Sequence, residues 1–182
     1  MNRVYSAVFA LGVLVAVSAA PAAAQGPLSL GVGGGVTIPT GDFKDGVKTG
    51  WHGLANLGYE GSSGIGLRGD FYYGENSGKG GGKFKLAGGL ANVTYTFAGG
   101  KSSTRPYVIG GVGFFNGKSD VTVGAVTVSS SDTKFAWAAG AGMKFKAGSD
   151  SDIFVEGRYV SVSTDKNKTN FIPITLGVRF GI

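Results

Sequence analysis

The sequence lacks cysteine and is poor in proline and in charge. There is no cysteine among the 182 residues, proline occurs 5 times, and charged residues make up 15% of the chain. Without thiols the chain has no disulfide framework, no thiolate metal site and no cysteine nucleophile. The net charge is +6, but the lysines and arginines are scattered singly. A nucleic-acid partner is therefore not predicted.

Long hydrophobic runs are absent beyond the first residues of the chain. Arg3 precedes an apolar stretch from Val4 to Val17, and small residues follow at Ala22 and Ala24. A positive start, a short apolar core and a small-residue cleavage site are the three parts of a secretory signal. We therefore predict a signal peptide that is cleaved after Ala24.

This prediction divides the chain into a signal peptide at residues 1–24 and a mature domain at residues 25–182. The alternative for the first segment is a retained membrane anchor. Its apolar core is shorter than the ~20 residues that a spanning helix needs, and Pro21 interrupts it. A membrane location for the mature domain then requires a closed barrel, because only helices and closed barrels satisfy every backbone group in lipid.

Glycine and aromatic residues are abundant in the mature domain. The chain has 35 glycines, and 42% of its residues are hydrophobic. The glycines follow no three-residue period, which excludes collagen, and the hydrophobic content argues against disorder. Such a composition is typical of a β protein with crowded or sharply bent strands.

Apolar and polar residues alternate with a period of two, which indicates β-strands. Most of the stretches approach the ~9–11 residues with which a tilted strand crosses a bilayer. The eight predicted strands lie within Leu28–Val36, Trp51–Glu60, Ile65–Tyr73, Phe84–Phe97, Arg105–Phe115, Lys134–Phe145, Ile153–Tyr159 and Ile172–Phe180.

The connections between these strands alternate in length. Short links are predicted at Gly61–Gly64, Ala98–Thr104 and Ala147–Ser151, and long polar links at Pro39–Gly50, Gly74–Lys83, Asn116–Thr133 and Ser163–Asn170. Outer-membrane barrels have short periplasmic turns and longer external loops. The pattern predicts an all-β, up-and-down transmembrane barrel with both termini in the periplasm. In the longest link, Val121–Val128 is predicted to form a hairpin with its turn at Gly124.

Two features favour a membrane barrel over a soluble one such as a lipocalin. The polar face consists largely of glycine and alanine, whereas a water-exposed surface would carry many more charges; small residues suit the narrow interior of an eight-stranded barrel. Aromatic residues of the apolar face cluster near strand ends, which predicts two girdles at the lipid boundaries. The predicted girdle residues are Trp51, Tyr59, Tyr73, Phe135, Trp137, Phe145 and Phe180.

Charged residues on the inward face are predicted to form a polar network in the lumen. They are Glu60, Arg68, Asp70, Lys144, Glu156, Arg158 and Arg179. Buried charges must pair to avoid the cost of uncompensated burial. We expect a carboxylate–guanidinium network centred on Asp70, Arg68, Glu156 and Arg158 that closes the lumen. Its predicted role is that of a scaffold, with a transport path as the alternative.

The mature chain resembles the small outer-membrane β-barrel proteins of the OmpA/OmpX-like superfamily. Three passages carry the resemblance: Gly33–Phe43, Arg105–Gly113 and Ile174–Phe180. It implies a monomeric integral protein of the outer membrane, in contact with lipid and dependent on periplasmic chaperones and the barrel-assembly machinery during biogenesis. The family usually ends on an aromatic residue, whereas here Gly181 and Ile182 follow Phe180.

No motif predicts catalysis, a metal or a cofactor. His52 is the only histidine, and it is predicted to face inward near the outer rim with ordinary hydrogen bonds. Some small outer-membrane barrels are enzymes that use histidine with a hydroxyl and a carboxylate, but no motif sets such partners beside His52. Asp42 and Asp45 are too few ligands for calcium.

The predicted function is a non-enzymatic structural or surface-interaction role in the cell envelope. Basic residues of the outer loops could contact the phosphates of lipopolysaccharide; they are Lys44, Lys48, Lys79, Lys83, Lys118, Lys166 and Lys168. The main alternative is a narrow porin-like channel or a transporter of small hydrophobic molecules. An envelope enzyme and a secreted soluble barrel are further alternatives.

Overall fold

The computed structural model describes residues 28–97, 102–123, 126–163 and 169–182. The predicted signal peptide lies outside these residues and remains a prediction. The described residues form eight antiparallel strands in one closed barrel, in which each strand pairs with its neighbours along the chain. The strands are β1 (Leu28–Thr40), β2 (Gly50–Glu60), β3 (Ile65–Ser77), β4 (Lys83–Thr96), β5 (Thr104–Val123), β6 (Val126–Lys146), β7 (Ser151–Val162) and β8 (Thr169–Gly181).

Pairing between the first and last strands closes the barrel. The β1–β8 ladder runs from Ser29 opposite Gly181 to Thr40 opposite Asn170. Both edges of β1 are therefore hydrogen-bonded, to β2 and to β8. Closure removes the free edges that would leave backbone groups unsatisfied in lipid. The predicted up-and-down barrel is confirmed.

The two ends of the barrel differ. At the short-turn end, β2 and β3 are joined by residues 61–64 and β6 and β7 by residues 147–150. Gly64 in the first of these turns has a φ of 83°, a conformation that glycine adopts without steric cost. The opposite end, the long-loop end, carries the extended β5–β6 hairpin.

The long connections contain more regular structure than predicted. Strands β5 and β6 continue through the predicted loop Asn116–Thr133 and remain paired as far as Val123 opposite Val126. The predicted hairpin is present, and its predicted turn residue Gly124 lies outside the described residues. In the first connection, Phe43–Gly46 forms a single helical turn, α1, that was not predicted. Among the described residues, no helix is long and apolar enough to cross a membrane.

Burial along the strands is the reverse of that in a water-soluble protein. Leu67 is 62% exposed and Trp51 54% exposed, whereas the neighbouring inward residues Arg68 and His52 are 5% and 2% exposed. Soluble proteins almost never bury so much charge while exposing so many large apolar side chains. Apolar side chains thus cover the outer wall in the pattern of period two that the sequence predicts.

Inward glycines make room for large side chains of neighbouring strands. A Cβ atom added at Gly142 would lie 2.5 Å from the ring of Tyr107, and one added at Gly88 would lie 2.5 Å from the ring of Phe115. Side chains cannot approach so closely without displacement. The outward Gly157 is different, because a Cβ atom there would meet nothing within 4 Å.

Replacing an inward glycine should destabilise the barrel, whereas the same change on the outer wall should not. We expect Gly142→Val to lower the free energy of unfolding by ~1–3 kcal/mol, the usual cost of overpacking. Gly157→Val is the matched control, expected to change it by less than ~0.5 kcal/mol. Urea unfolding in lipid vesicles measures both values. Equal losses in the two variants would contradict the assignment of inner and outer faces.

Candidate functional site

Four charged side chains form a closed network at mid-height in the lumen. Arg68 and Asp70 come from β3, and Glu156 and Arg158 come from the opposite strand β7. Each pair is separated by two positions on its strand, so that both members point inward. All four residues are at most 6% exposed.

Each guanidinium group of this network contacts both carboxylates. Arg68 lies 2.9 Å from Asp70 and 2.8 Å from Glu156. Arg158 lies 2.6 Å from Asp70 and 2.5 Å from Glu156. The two positive and two negative charges cancel, and charge-assisted hydrogen bonds offset the loss of hydration. The structure thus brings together the four residues at the centre of the predicted network.

Two neutral side chains complete the central network. The Tyr107 hydroxyl donates to Glu156 over 2.7 Å. The Asn92 amide donates to the Asp70 carboxylate over 2.9 Å. Since these donors occupy further carboxylate lone pairs, they hold the network in one arrangement.

The remaining predicted charges lie lower, near the short-turn end. Lys144 binds Glu60 and donates to the Thr96 hydroxyl over 3.1 Å. Arg179 donates from Nε to the Ser29 hydroxyl over 2.6 Å, and its Nη1 lies 3.6 Å from Glu60. Lys144 and Arg179 therefore share a single carboxylate.

A further ion pair in this region was not predicted. Nη2 of Arg105 lies 2.5 Å from both carboxylate oxygens of Asp152. The alternation of inward and outward residues could have indicated this pair. Arg105 has the same inward phase on β5 as Tyr107, and Asp152 has the same inward phase on β7 as Glu156. The prediction missed the pair because Arg105 is the first residue of its predicted strand and Asp152 lies just before the predicted strand Ile153–Tyr159.

An apolar cluster fills the lumen on the long-loop side of the network. The rings of Tyr72, Phe115 and Phe171 lie 5.5 to 5.9 Å apart, centroid to centroid. This aromatic cluster continues into Leu54, Leu86, Leu90, Val160 and Val162 and extends to Phe154, which pairs with Lys144 nearer the short-turn end. The expectation that glycine, alanine and a few ions occupy the inside is therefore incomplete. A lumen lined only by small and polar side chains would contain empty space, and these apolar side chains fill it.

His52 faces inward toward the long-loop end of the barrel and lies beside the aromatic cluster. Its ring stacks on Tyr72 at 5.0 Å. Nδ1 is 3.1 Å from the Thr37 hydroxyl, and Nε2 is 2.9 Å from the Thr175 hydroxyl. Both ring nitrogens are thus occupied by threonine, and the ring is 2% exposed. The arrangement satisfies the hydrogen-bonding groups of a buried histidine.

The predicted girdle residues all lie on the outer wall, each between 38% and 54% exposed. Trp51, Tyr73, Phe135 and Trp137 lie toward the long-loop end, and Tyr59, Phe145 and Phe180 toward the short-turn end. The prediction omitted several rings that extend these groups: Phe114 packs on Phe135, Tyr159 on Trp137, and Tyr95 on Phe97. Aromatic side chains thus occur near both ends of the outer wall.

The described residues contain no group of three or more histidine, aspartate or glutamate side chains that could hold a metal ion. The charges of Arg68, Asp70, Glu156 and Arg158 are all paired within the network, although Arg68 Nε, Asp70 Oδ1 and Arg158 Nη2 make no hydrogen bond of good geometry. The described interior therefore holds paired charges in a fixed arrangement.

A closed barrel with an apolar outer wall and a charged lumen defines a small transmembrane β-barrel. The chain belongs to the outer membrane protein beta-barrel domain family, whose model matches residues 9–180. The resemblance to small outer-membrane barrels is thereby confirmed, and family membership implies residence in the outer membrane. A search of the curated proteins finds no match.

Solved structures share the fold at low sequence identity. Neisserial surface protein A has a TM-score of 0.68 at 17% identity, covering 86% of this chain and 97% of its own. The attachment invasion locus protein Ail of Yersinia pestis has a TM-score of 0.58 at 20% identity, and the match covers 86% of this chain and 100% of Ail. The outer membrane enzyme PagL has a TM-score of 0.52 at 21% identity, and the match covers 85% of this chain and 99% of PagL. These similarities establish the fold alone.

Removing one carboxylate from the central network should strongly destabilise the barrel. Glu156→Gln leaves Arg68 and Arg158 with one carboxylate between them. We expect a loss of ~3–5 kcal/mol in the free energy of unfolding, as when a buried ion pair is broken. Urea unfolding in lipid vesicles, followed by tryptophan fluorescence, measures the loss.

The control is Asp132→Asn, which removes an ion pair with Lys134 in which the Asp132 side chain is 67% exposed. An exposed pair contributes at most ~1 kcal/mol. The double variant Glu156→Gln/Arg158→Gln should recover part of the lost stability, because it restores neutrality. If Glu156→Gln were no more harmful than Asp132→Asn, the network would not be the stabilising element of the lumen.

Proposed function

We propose that the protein is an integral outer-membrane barrel with a structural or surface-interaction role in the cell envelope and without enzymatic activity. The observation that carries this proposal is the filled lumen. The aromatic cluster and the central network lie one above the other along the barrel axis. An interior occupied in this way supports a scaffold that presents loops and argues against a conduit.

The outer wall supports insertion into lipid. Its apolar face is continuous around the closed barrel, and the buried charged side chains of the strands point inward, whereas outward charges such as Glu75 and Lys85 lie toward the long-loop end. An arginine or lysine on the lipid side at the midplane would cost ~2–4 kcal/mol, which explains the strict alternation. The proposed orientation puts the short-turn end in the periplasm and the long-loop end outside. Export by a cleaved signal peptide and a monomeric state are part of the same proposal.

The environment of His52 supports a non-enzymatic role. A nucleophile activated by histidine must reach substrate at an accessible surface. Thr37 and Thr175, the hydroxyls bound to His52, are themselves 1% and 3% exposed. The likeness to PagL extends to the barrel fold and carries no catalytic residue to this chain.

The alternative function is a narrow porin-like channel or a transporter of small hydrophobic molecules. Ions would have to pass Arg68, Asp70, Glu156 and Arg158, whose charges are already paired. An apolar solute would have to displace the aromatic cluster as well. Both routes require breaking contacts that stabilise the barrel.

Planar-bilayer recordings test the proposed function. The purified barrel is expected to give no stable single-channel current, because the paired charges and the packed rings occlude the lumen. Vesicles that contain the barrel should release a small apolar dye no faster than protein-free vesicles. Reproducible ohmic steps in the bilayer, or accelerated dye release, would instead favour the channel or the transporter.

Basic residues at the long-loop end support contact with anionic lipid headgroups or glycans. Lys44, Lys48, Lys79, Lys83 and Lys118 are exposed there, whereas Lys166 and Lys168 lie outside the described residues. A structure of Ail holds the heparin analogue sucrose octasulfate. We include binding of lipopolysaccharide phosphates in the proposal, as expected for basic residues at an anionic membrane surface.

Neutralising four of these lysines should weaken lipopolysaccharide binding. The variant Lys44→Gln/Lys48→Gln/Lys79→Gln/Lys118→Gln is expected to bind at least about tenfold more weakly at low salt, and the difference should shrink as salt is raised. Binding is measured by calorimetry on the reconstituted barrel. Asp45→Asn in the first loop is the matched control and should not weaken binding. Unchanged affinity in the fourfold variant would remove lipopolysaccharide from the proposal.

A further inference from the structure

A polar cavity opens at the short-turn end of the barrel. Its volume is about 360 Å³, and its walls are formed by the strand ends and by the turns after β2 and β6. Ligand cavities begin at roughly 300 Å³, and one water occupies about 30 Å³. The cavity is therefore large enough for a small organic or inorganic ion.

Among the described residues that line this cavity, the charges do not balance. Four cations, Arg105, Lys144, Lys146 and Arg179, face three carboxylates, Glu60, Asp150 and Asp152. Arg105 is fully matched by its two contacts with Asp152. The imbalance therefore falls on the other cations.

Arg179 and Lys144 share one counterion. The ammonium group of Lys144 is in direct contact with Glu60, whereas Nη1 of Arg179 stands 3.6 Å away from it. Both cationic side chains are largely shielded from water, with 12% and 3% of their surface exposed. A shielded cation without its own anion is costly, and an incoming anion removes that cost.

Arg179 also keeps hydrogen-bond donors available. A guanidinium group has five N–H donors, and within the described part of the chain Arg179 makes one side-chain hydrogen bond, from Nε to the Ser29 hydroxyl. Its terminal nitrogens can therefore bind a planar or tetrahedral oxyanion through paired hydrogen bonds. Lys146 is exposed at the same rim and adds a flexible positive charge.

We propose that this cavity is a binding site for an oxyanion, a carboxylate or phosphate group, held by Arg179 together with Lys144 and Lys146. Glu60 positions the two buried cations, and the ligand supplies the missing negative charge. The proposal rests on the proposed function in one respect: the proposed orientation makes this end of the barrel face the periplasm, so that the ligand comes from there. Binding of the oxyanion does not depend on that orientation.

Titrations followed by nuclear magnetic resonance test the site. The refolded, isotope-labelled barrel in detergent micelles is titrated with inorganic phosphate and, separately, with succinate, at ionic strength held constant with sodium chloride. We expect saturable shifts of the backbone amides of Gly61, Gly64 and Ser151, with millimolar dissociation constants. The two arms distinguish phosphate from carboxylate as the preferred group.

Variants assign the binding to the proposed residues. Arg179→Gln should weaken binding at least about tenfold, and Arg179→Lys should restore part of the affinity because it keeps the charge. Lys146→Gln, at an exposed position that does not threaten folding, should weaken binding severalfold. Lys134→Gln, a cation of β6 on the long-loop side that takes no part in the proposed lipopolysaccharide contacts, is the control and should leave the titration unchanged.

Shifts that do not saturate, or that are the same in Arg179→Gln, Lys146→Gln and the unaltered barrel, would overturn the proposal. Those results would leave a non-conducting barrel and its proposed function intact. Conversely, a barrel that binds phosphate at Arg179 but conducts ions would retain the site and lose the proposed function. The two failures are therefore distinguishable.

Discussion

The hydrogen-bonded ladder between β1 and β8 is the contact on which the rest of the structure depends. It converts a curved sheet into a closed wall, so that the strands satisfy their backbone groups within the barrel. Once the wall is closed, each strand has one lipid side and one lumen side. A shift of one residue in any register would turn arginines to lipid and aromatic side chains to the lumen. Closure and alternation therefore reinforce each other.

The narrow lumen determines how the inward side chains are arranged. Residues from opposite strands meet at the axis, so that Arg68 on β3 reaches Glu156 on β7. Glycines such as Gly142 provide the space for the large rings beside them. The interior is thus layered, with apolar rings toward the long loops, a neutral ion network at mid-height and a positively charged cavity at the short turns. In that cavity the described cations outnumber the described carboxylates by one.

The period of two was sufficient to predict the barrel, because a single repeated signal specifies both the strands and their faces. It also assigned Arg68, Asp70, Glu156 and Arg158 to one face. Their association was expected from the cost of unpaired buried charge, whereas the individual contacts could not be predicted, since β3 and β7 are distant in sequence and meet only after closure. Phe115 and Phe171 were missed as interior residues because each adjoins another large apolar residue, Phe114 or Ile172, and the alternation is locally hidden. The helical turn α1 has no periodic signal at all.

The central claim is that the apolar side of every strand faces hydrocarbon. The chain has two tryptophans, and both Trp51 and Trp137 lie on the outer wall, so their fluorescence reports on that wall alone. Phospholipids brominated on their acyl chains should quench this fluorescence strongly in reconstituted vesicles, while aqueous iodide should quench it weakly. Strong quenching by iodide together with insensitivity to brominated lipid would contradict the account.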